Sequence, residues 1–133
     1  MKNGFENHIK KFIEVGHEEY IRKDKNIVMY RILGNLNYIN VISHLKIIKK
    51  HSKSFDVIFI SFRYVSFIDN EALTSLHEFI QKSYISKVCL VILCSVKDNF
   101  VEQMRLFPFF NILDQNNQIN QRPRKNTGSV FSE

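Results

Sequence analysis

The chain has 133 residues, enough for one hydrophobic core and too few for two of ordinary size. Apolar residues make up 44% of it, with 12 phenylalanines and no tryptophan, a composition that excludes a disordered chain, and the formal charge is +6. The longest unbroken apolar run, 88–94, is far short of the roughly 20 residues that a membrane-crossing helix needs. Residues 1–15 carry polar side chains too often for a secretory signal, so a cytoplasmic setting is expected.

In chain order, Phe5, Ile9, Phe12 and Ile13 come first, at helical spacing among Lys2, Glu6, Lys10 and Lys11, and Gly16 follows as a stop. Residues 1–16 therefore read as an amphipathic helix or linker. With so few flanking cations, its apolar stripe is expected to pack on the domain or on another subunit rather than on lipid. Residues 20–22 read as a brief strand, Lys23, Asp24, Lys25 and Asn26 as a polar turn, and 27–33 as a second strand ended by Gly34, which together make a hairpin. Val41, His44, Leu45 and Ile48 then recur at helical spacing, with Lys46, Lys49 and Lys50 toward the C-terminal end, where cations complement the helix dipole.

Residues 56–62, dense in Val, Ile and Phe, read as a strand covered on both faces. A helix over 70–82 follows, with Ala72, Leu73, Leu76, Phe79 and Ile80 on one side and Asp69 as its N-cap. Residues 87–94 form another apolar strand. Residues 97–106 read as a third helix carrying Phe100, Val101 and Met104, closed by Pro108, and 109–113 as a last short strand. The order β-β-α-β-α-β-α-β demands crossover connections, hence an α/β fold with a mainly parallel four- to five-stranded sheet, an antiparallel N-terminal strand and three to four flanking helices. The domain is expected over 17–114. From residue 115 to 133 the chain is polar and without periodicity, so a disordered or partner-bound tail is expected there.

The usual catalytic constellations are missing from the sequence. Gly4, Gly16, Gly34 and Gly128 are isolated, so there is no glycine-rich phosphate loop. His8, His17, His44, His51 and His77 show no metal-ligand spacing and read as surface or packing residues. No serine sits in a nucleophile elbow. Cys89 and Cys94, five apart in one strand, face opposite ways, so a bridge is implausible and both read as filler. No cofactor and no metal is expected. Arg122, Arg124 and Lys125 lie in the tail, so the positive charge is spread along the chain, and nucleic-acid binding is not expected.

What stands out is the junction Val65-Ser66-Phe67-Ile68-Asp69-Asn70-Glu71-Ala72-Leu73, where an apolar strand runs into an acidic helix start. The plain reading is a helix cap worth about 1 kcal/mol. The string from Asp56 to Leu76, with its apolar strand, Phe67-Ile68-Asp69, then Ala72-Leu73 and Leu76, also resembles the signature of STAS domains, the sulphate transporter and anti-sigma-factor antagonist family. The stretch Tyr30-Arg31-Ile32-Leu33-Gly34-Asn35-Leu36-Asn37-Tyr38-Ile39-Asn40 is similar to the strand, glycine, leucine, aromatic and asparagine pattern at the start of that domain in sulphate-permease-type transporters. The resemblance spans roughly 15–117.

The resemblance implies a sheet flanked by helices, no enzymatic activity, and a regulatory loop at Asp69, Asn70, Glu71 and Thr74. In the stand-alone antagonists, the residue two after the aspartate is a serine that a partner kinase phosphorylates. Here that position is Glu71, which cannot take a phosphate and already carries about half the charge a phosphate would add. The resemblance therefore leans toward the cytoplasmic domain of a SulP-type anion permease at the inner face of the cell membrane. Its partner would be the transporter's membrane domain or a regulatory protein. For some members the family implies weak nucleotide or acyl-carrier-protein binding, and a homodimer is compatible with it. The alternative is a free-standing, antagonist-like protein lacking the phosphoserine. A phosphoacceptor receiver domain would need an acidic pair after the first parallel strand, and Leu33-Gly34-Asn35-Leu36 supplies none.

Overall fold

A computed structural model describes residues 16–116 and 118–121. The expected leader helix before Gly16 and the tail beyond Gln121 lie outside the described residues. β1 (His17–Arg22) and β2 (Ile27–Leu36) form the expected antiparallel hairpin. A single 3-10 turn, Lys23–Lys25, joins them, and Asn26 closes it at φ 55°, a left-handed conformation that asparagine tolerates. Then follow α1 (Val41–Ser52), β3 (Val57–Ile68), α2 (Asn70–Ser86), β4 (Leu90–Val96), α3 (Asp98–Met104), α4 (Pro108–Gln115) and β5 (Ile119–Gln121).

The sheet order is β1-β2-β3-β4-β5, with β1 antiparallel to β2 and the other pairs parallel. One core fills the space between sheet and helices. Val28, Tyr30, Ile32, Ile58, Ile60, Phe62, Val91 and Leu93 from the strands meet Leu45 and Ile48 of α1, Leu73 and Leu76 of α2, Met104 of α3 and Phe110 and Leu113 of α4. No helix of the described residues is long and apolar enough to cross a membrane.

The chain's second half departs from the sequence reading. Residues 109–113 are helical, not a strand: Pro108 sits at the first helical position, where its missing N–H costs nothing, and Phe109, Phe110 and Leu113 share one face. Pro108 therefore opens α4, and the helix before it ends at Met104. The last strand is Ile119–Gln121, inside the segment read as tail, and it pairs with β4 at Leu93 and Val96. Gly34 does not end β2. At φ 86° it lets the strand shift register and run on to Leu36. β3 likewise continues past Phe62 to Ile68, and β4 is not covered throughout, since Leu90 is exposed.

The described histidines, His17, His44, His51 and His77, each pack against an aromatic ring, and His44 is fully buried. His44 on α1 shares a hydrogen bond with the hydroxyl of Tyr30 through Nδ1 at 2.7 Å, and His17 stacks on the Tyr30 ring at 4.7 Å. Burial pushes the His44 pKa down to about 4, with a smaller push from His17, and lifts that of Tyr30 well above the usual phenol range. Glu19 of β1 holds His17 and His51 at 3.0 Å each, tying the edge strand to the end of α1. Burial opposes ionisation of Glu19, but the two imidazoles together keep it below the ordinary carboxylate range. Cys89 is buried, with its thiol pushed up to about 11, and Cys94 is half-buried.

Candidate functional site

β2 and β3 run parallel and end side by side, with Leu36 paired to Ile68, so the connections that follow them meet at one corner. Asp69 joins the two. Its Oδ1 accepts the N–H of Ala72 at 2.7 Å and caps α2, while Oδ2 accepts the N–H of Tyr38 at 3.0 Å from the loop before α1. Its own N–H donates to the Leu36 carbonyl at 3.1 Å. The carboxylate is thus committed to two backbone amides, which makes Asp69 a clamp between connections with little left to offer a partner.

The loop before α1 is held by its own asparagines. Asn37 Oδ1 accepts from the amides of Ile39 and Asn40, and Asn40 Oδ1 accepts from the amide of Asn37 at 2.9 Å. Asn40 Nδ2 then donates to the Asn35 carbonyl at 2.7 Å. With its backbone satisfied this way, the loop turns Tyr38 and Ile39 outward. Together with Ile42 of α1 and Phe67 of β3, these side chains are each more than half exposed.

Asn70, Glu71 and Thr74 stand in the first turns of α2, all exposed. Asn70 Oδ1 accepts from Gln103 Nε2 at 3.0 Å, and the same amide donates to the Ile68 carbonyl at 2.8 Å. Lys97 Nζ donates to the Val65 carbonyl at 2.9 Å. These two side chains, one at each end of α3, fasten that helix to the last part of β3 and the start of α2. Thr74 Oγ1 donates to the Asn70 carbonyl at 2.9 Å, the back-bonding of an ordinary helix threonine. Glu71 and Thr74 line a cleft of about 320 Å³ with Tyr38, Val41, Ile42 and Ser75, between the first turns of α1 and α2.

The structure therefore gathers Asp69, Asn70, Glu71 and Thr74 at one corner and gives them different work. Sequence reasoning missed the apolar half of that corner. Ile42 was the available signal, since it lies off the stripe of Val41, His44, Leu45 and Ile48 that faces the core. Chemically the corner offers a carboxylate, a few hydrogen-bonding groups and apolar surface beside a helix N-terminus, and no histidine lines the cleft. Among the described residues, no three His, Cys, Asp or Glu side chains are placed to hold a metal ion.

No family model matches the sequence, and no curated protein does either. Solved structures do match. A sulfate transporter family protein from Wolinella succinogenes superposes with a TM-score of 0.61 at 20% identity, over 73% of this chain and 78% of that one. The phosphorylated form of the Bacillus cell fate determinant SpoIIAA gives 0.59 at 14% identity, over 83% and 94%. The chain has the STAS fold. The murine Solute Carrier 26 family member A9 anion transporter, in its inward-facing state, also matches, with a TM-score of 0.62 at 13% identity over 90% of this chain. That match takes in only 23% of the transporter's length. Within the STAS fold, the corner of Asp69 and Glu71 lies where the second helix begins, at the C-terminal end of the parallel strands.

Proposed function

We propose that this chain is a regulatory STAS domain without catalytic activity, acting by docking a partner protein on the corner of Tyr38, Ile42, Phe67, Glu71 and Thr74. The observation that carries the reading is the pairing of exposed aromatic and aliphatic side chains with a rim of polar ones around a shallow cleft. Isolated apolar residues are normal on a surface, whereas a cluster rimmed by polar groups marks an interaction site. Asp69 serves the site by fixing both connections, so that the corner needs little ordering when a partner arrives.

The partner we infer is the membrane portion of a sulphate-permease-type anion transporter, with the domain at the cytoplasmic face of the cell membrane. Two things support this: the likeness to a sulfate transporter family protein and an anion transporter, and a carboxylate, Glu71, at the position where stand-alone antagonists carry their phosphorylated serine. The second reading, a free-standing antagonist-like protein, is favoured by the match over nearly the whole of SpoIIAA.

The test is calorimetric titration of the purified chain against the detergent-solubilised membrane portion of a sulphate-permease-type transporter from the same source. Saturable binding that Glu71→Lys or Ile42→Asp weakens at least about tenfold, equivalent to about 1.4 kcal/mol, supports the reading. Binding that both variants leave unchanged refutes the corner. Absence of binding there, with saturable binding to an anti-sigma factor instead, favours the free-standing alternative.

A further inference from the structure

The end of the sheet opposite the corner is where the parallel strands begin. Ile27, Val57 and Leu90 stand in register there. The backbone ties the connections that precede them side by side: the Asp56 N–H donates to the Asn26 carbonyl at 3.0 Å, and the Leu90 N–H to the Asp56 carbonyl at 2.9 Å. The turn between β1 and β2, the last turn of α1 and the last turn of α2 therefore converge on one end of the molecule.

That end is basic. Lys23 and Lys25 come from the first connection, Lys49, Lys50 and Lys53 from the second and Lys87 from the third, all exposed. None of these lysines forms an ion pair with a described residue, and Asp24 is taken by Arg22 at 3.0 Å, which leaves Asp56 and Asp114 as the other acidic groups there. Elsewhere among the described residues acidic side chains outnumber basic ones, so charge that is spread along the sequence is gathered in space. Two aliphatic side chains protrude at the same place. Ile85, in the last turn of α2, is 70% exposed, and Val88, just past Lys87, is 57% exposed. Tyr84 and Leu90, each nearly half exposed, extend the apolar strip.

We propose that this end of the domain lies on an anionic lipid surface, with the lysines among the headgroups and Ile85 and Val88 at the acyl boundary. Lysine is a point charge on a flexible stem, so unpaired lysines drawn from three connections suit a diffuse array of headgroups better than a fixed set of carboxylates. A nucleic acid would use the same charges and leave Ile85 and Val88 in water, whereas a bilayer takes up both. Neither signal holds a protein on a membrane by itself, and here they stand together. The inference does not rest on the docking reading and is compatible with it. The 12 residues of β3 span about 40 Å between this end and the corner, so both can be engaged when the strands run along the membrane plane.

The test is co-sedimentation of the full chain with vesicles of phosphatidylcholine alone and of phosphatidylcholine mixed with phosphatidylserine. Binding is expected to the mixed vesicles only, and it should weaken as salt is raised. Each lysine close to an anionic surface strengthens partition by about fivefold. Lys53→Glu and Lys87→Glu each remove one such charge and add a repulsion, so either should weaken binding at least about tenfold. Arg105→Glu makes the same change in net charge where α3 closes near the corner, and should alter binding less than about twofold. Ile85→Ser combined with Val88→Ser leaves the charge unchanged and should weaken binding at least about threefold. Circular dichroism checks that each variant folds, and the two lysine variants lie on different connections, so loss of one leaves the other as a test. No binding to the mixed vesicles, or binding that the lysine variants leave unchanged, overturns the proposal. So does an equal loss in Arg105→Glu, or a serine variant that binds as the native chain does. Tighter binding of double-stranded DNA than of vesicles at the same salt also overturns it and assigns this end to a nucleic acid.

Discussion

Lowering the pH from 7.5 to 5 should cost the fold about 2 kcal/mol through a single side chain, His44. The residue is buried between α1 and the sheet, and its Nδ1 shares a 2.7 Å hydrogen bond with the Tyr30 hydroxyl. Its other nitrogen, Nε2, has no hydrogen-bond partner among the described residues. Protonation would leave a buried charged ring with one N–H unpaired. The folded chain consequently resists protonation until about pH 4, against an ordinary value of 6.5. The sign follows: between those values the unfolded chain binds a proton that the folded chain refuses, so stability is complete above the upper value and is lost as the pH falls toward the lower one. The full loss approaches about 3 kcal/mol, and about 2 kcal/mol of it has gone by pH 5. Urea unfolding followed by circular dichroism at pH 7.5 and 5.0 measures it, in the native chain and in His44→Gln. The variant should start less stable and lose about 2 kcal/mol less between the two conditions, because every other titratable group is common to both proteins and its contribution cancels. Equal losses in the two proteins would refute the argument.

Three further outcomes can be measured on the same unfolding curves. Leu73, fully buried between α2 and the sheet, should cost about 3 kcal/mol on replacement by alanine, and a loss under about 1 kcal/mol would mean that the core collapses around the gap. Asp69→Ala removes a helix cap and the tie to Tyr38 at once, for about 2 kcal/mol, and Asp69→Asn should restore roughly half of that by keeping one acceptor. Gly34→Ala should cost about 1–2 kcal/mol from backbone strain alone, since the added carbon would meet no atom within 4 Å. A neutral result there would show that the strand can relax its positive φ.

Much of the architecture could be read from apolar spacing. The stripe from Ala72 to Ile80 and the cap at Asp69 located α2, and the dense Val, Ile and Phe runs located β3 and β4. The misread segment, 109–121, shows the limit of that reading. Five residues with four apolar side chains fit either period, and the choice was made by Pro108, whose fixed φ starts a helix as readily as it ends one. β5 has three residues and only Ile119 as an apolar anchor, so only its pairing with β4 makes it a strand. At the corner, the sequence pointed to Asp69 and Glu71 through their charge next to a helix start. It did not reveal that Asp69 is spent on Tyr38, because that bond joins residues 31 apart and leaves no periodic trace.

The sequential order of the strands bears on how the chain acquires its shape. Each strand pairs with the one made just before it, so no pairing waits for a distant part of the chain, and loop-closure entropy stays small for a sheet that is mostly parallel. A hairpin of local contacts comes first, and every crossover unit can add to a template already in place as synthesis proceeds. The three-residue strand at the growing end is then the last piece to seat, and fraying there should precede any opening of the hairpin.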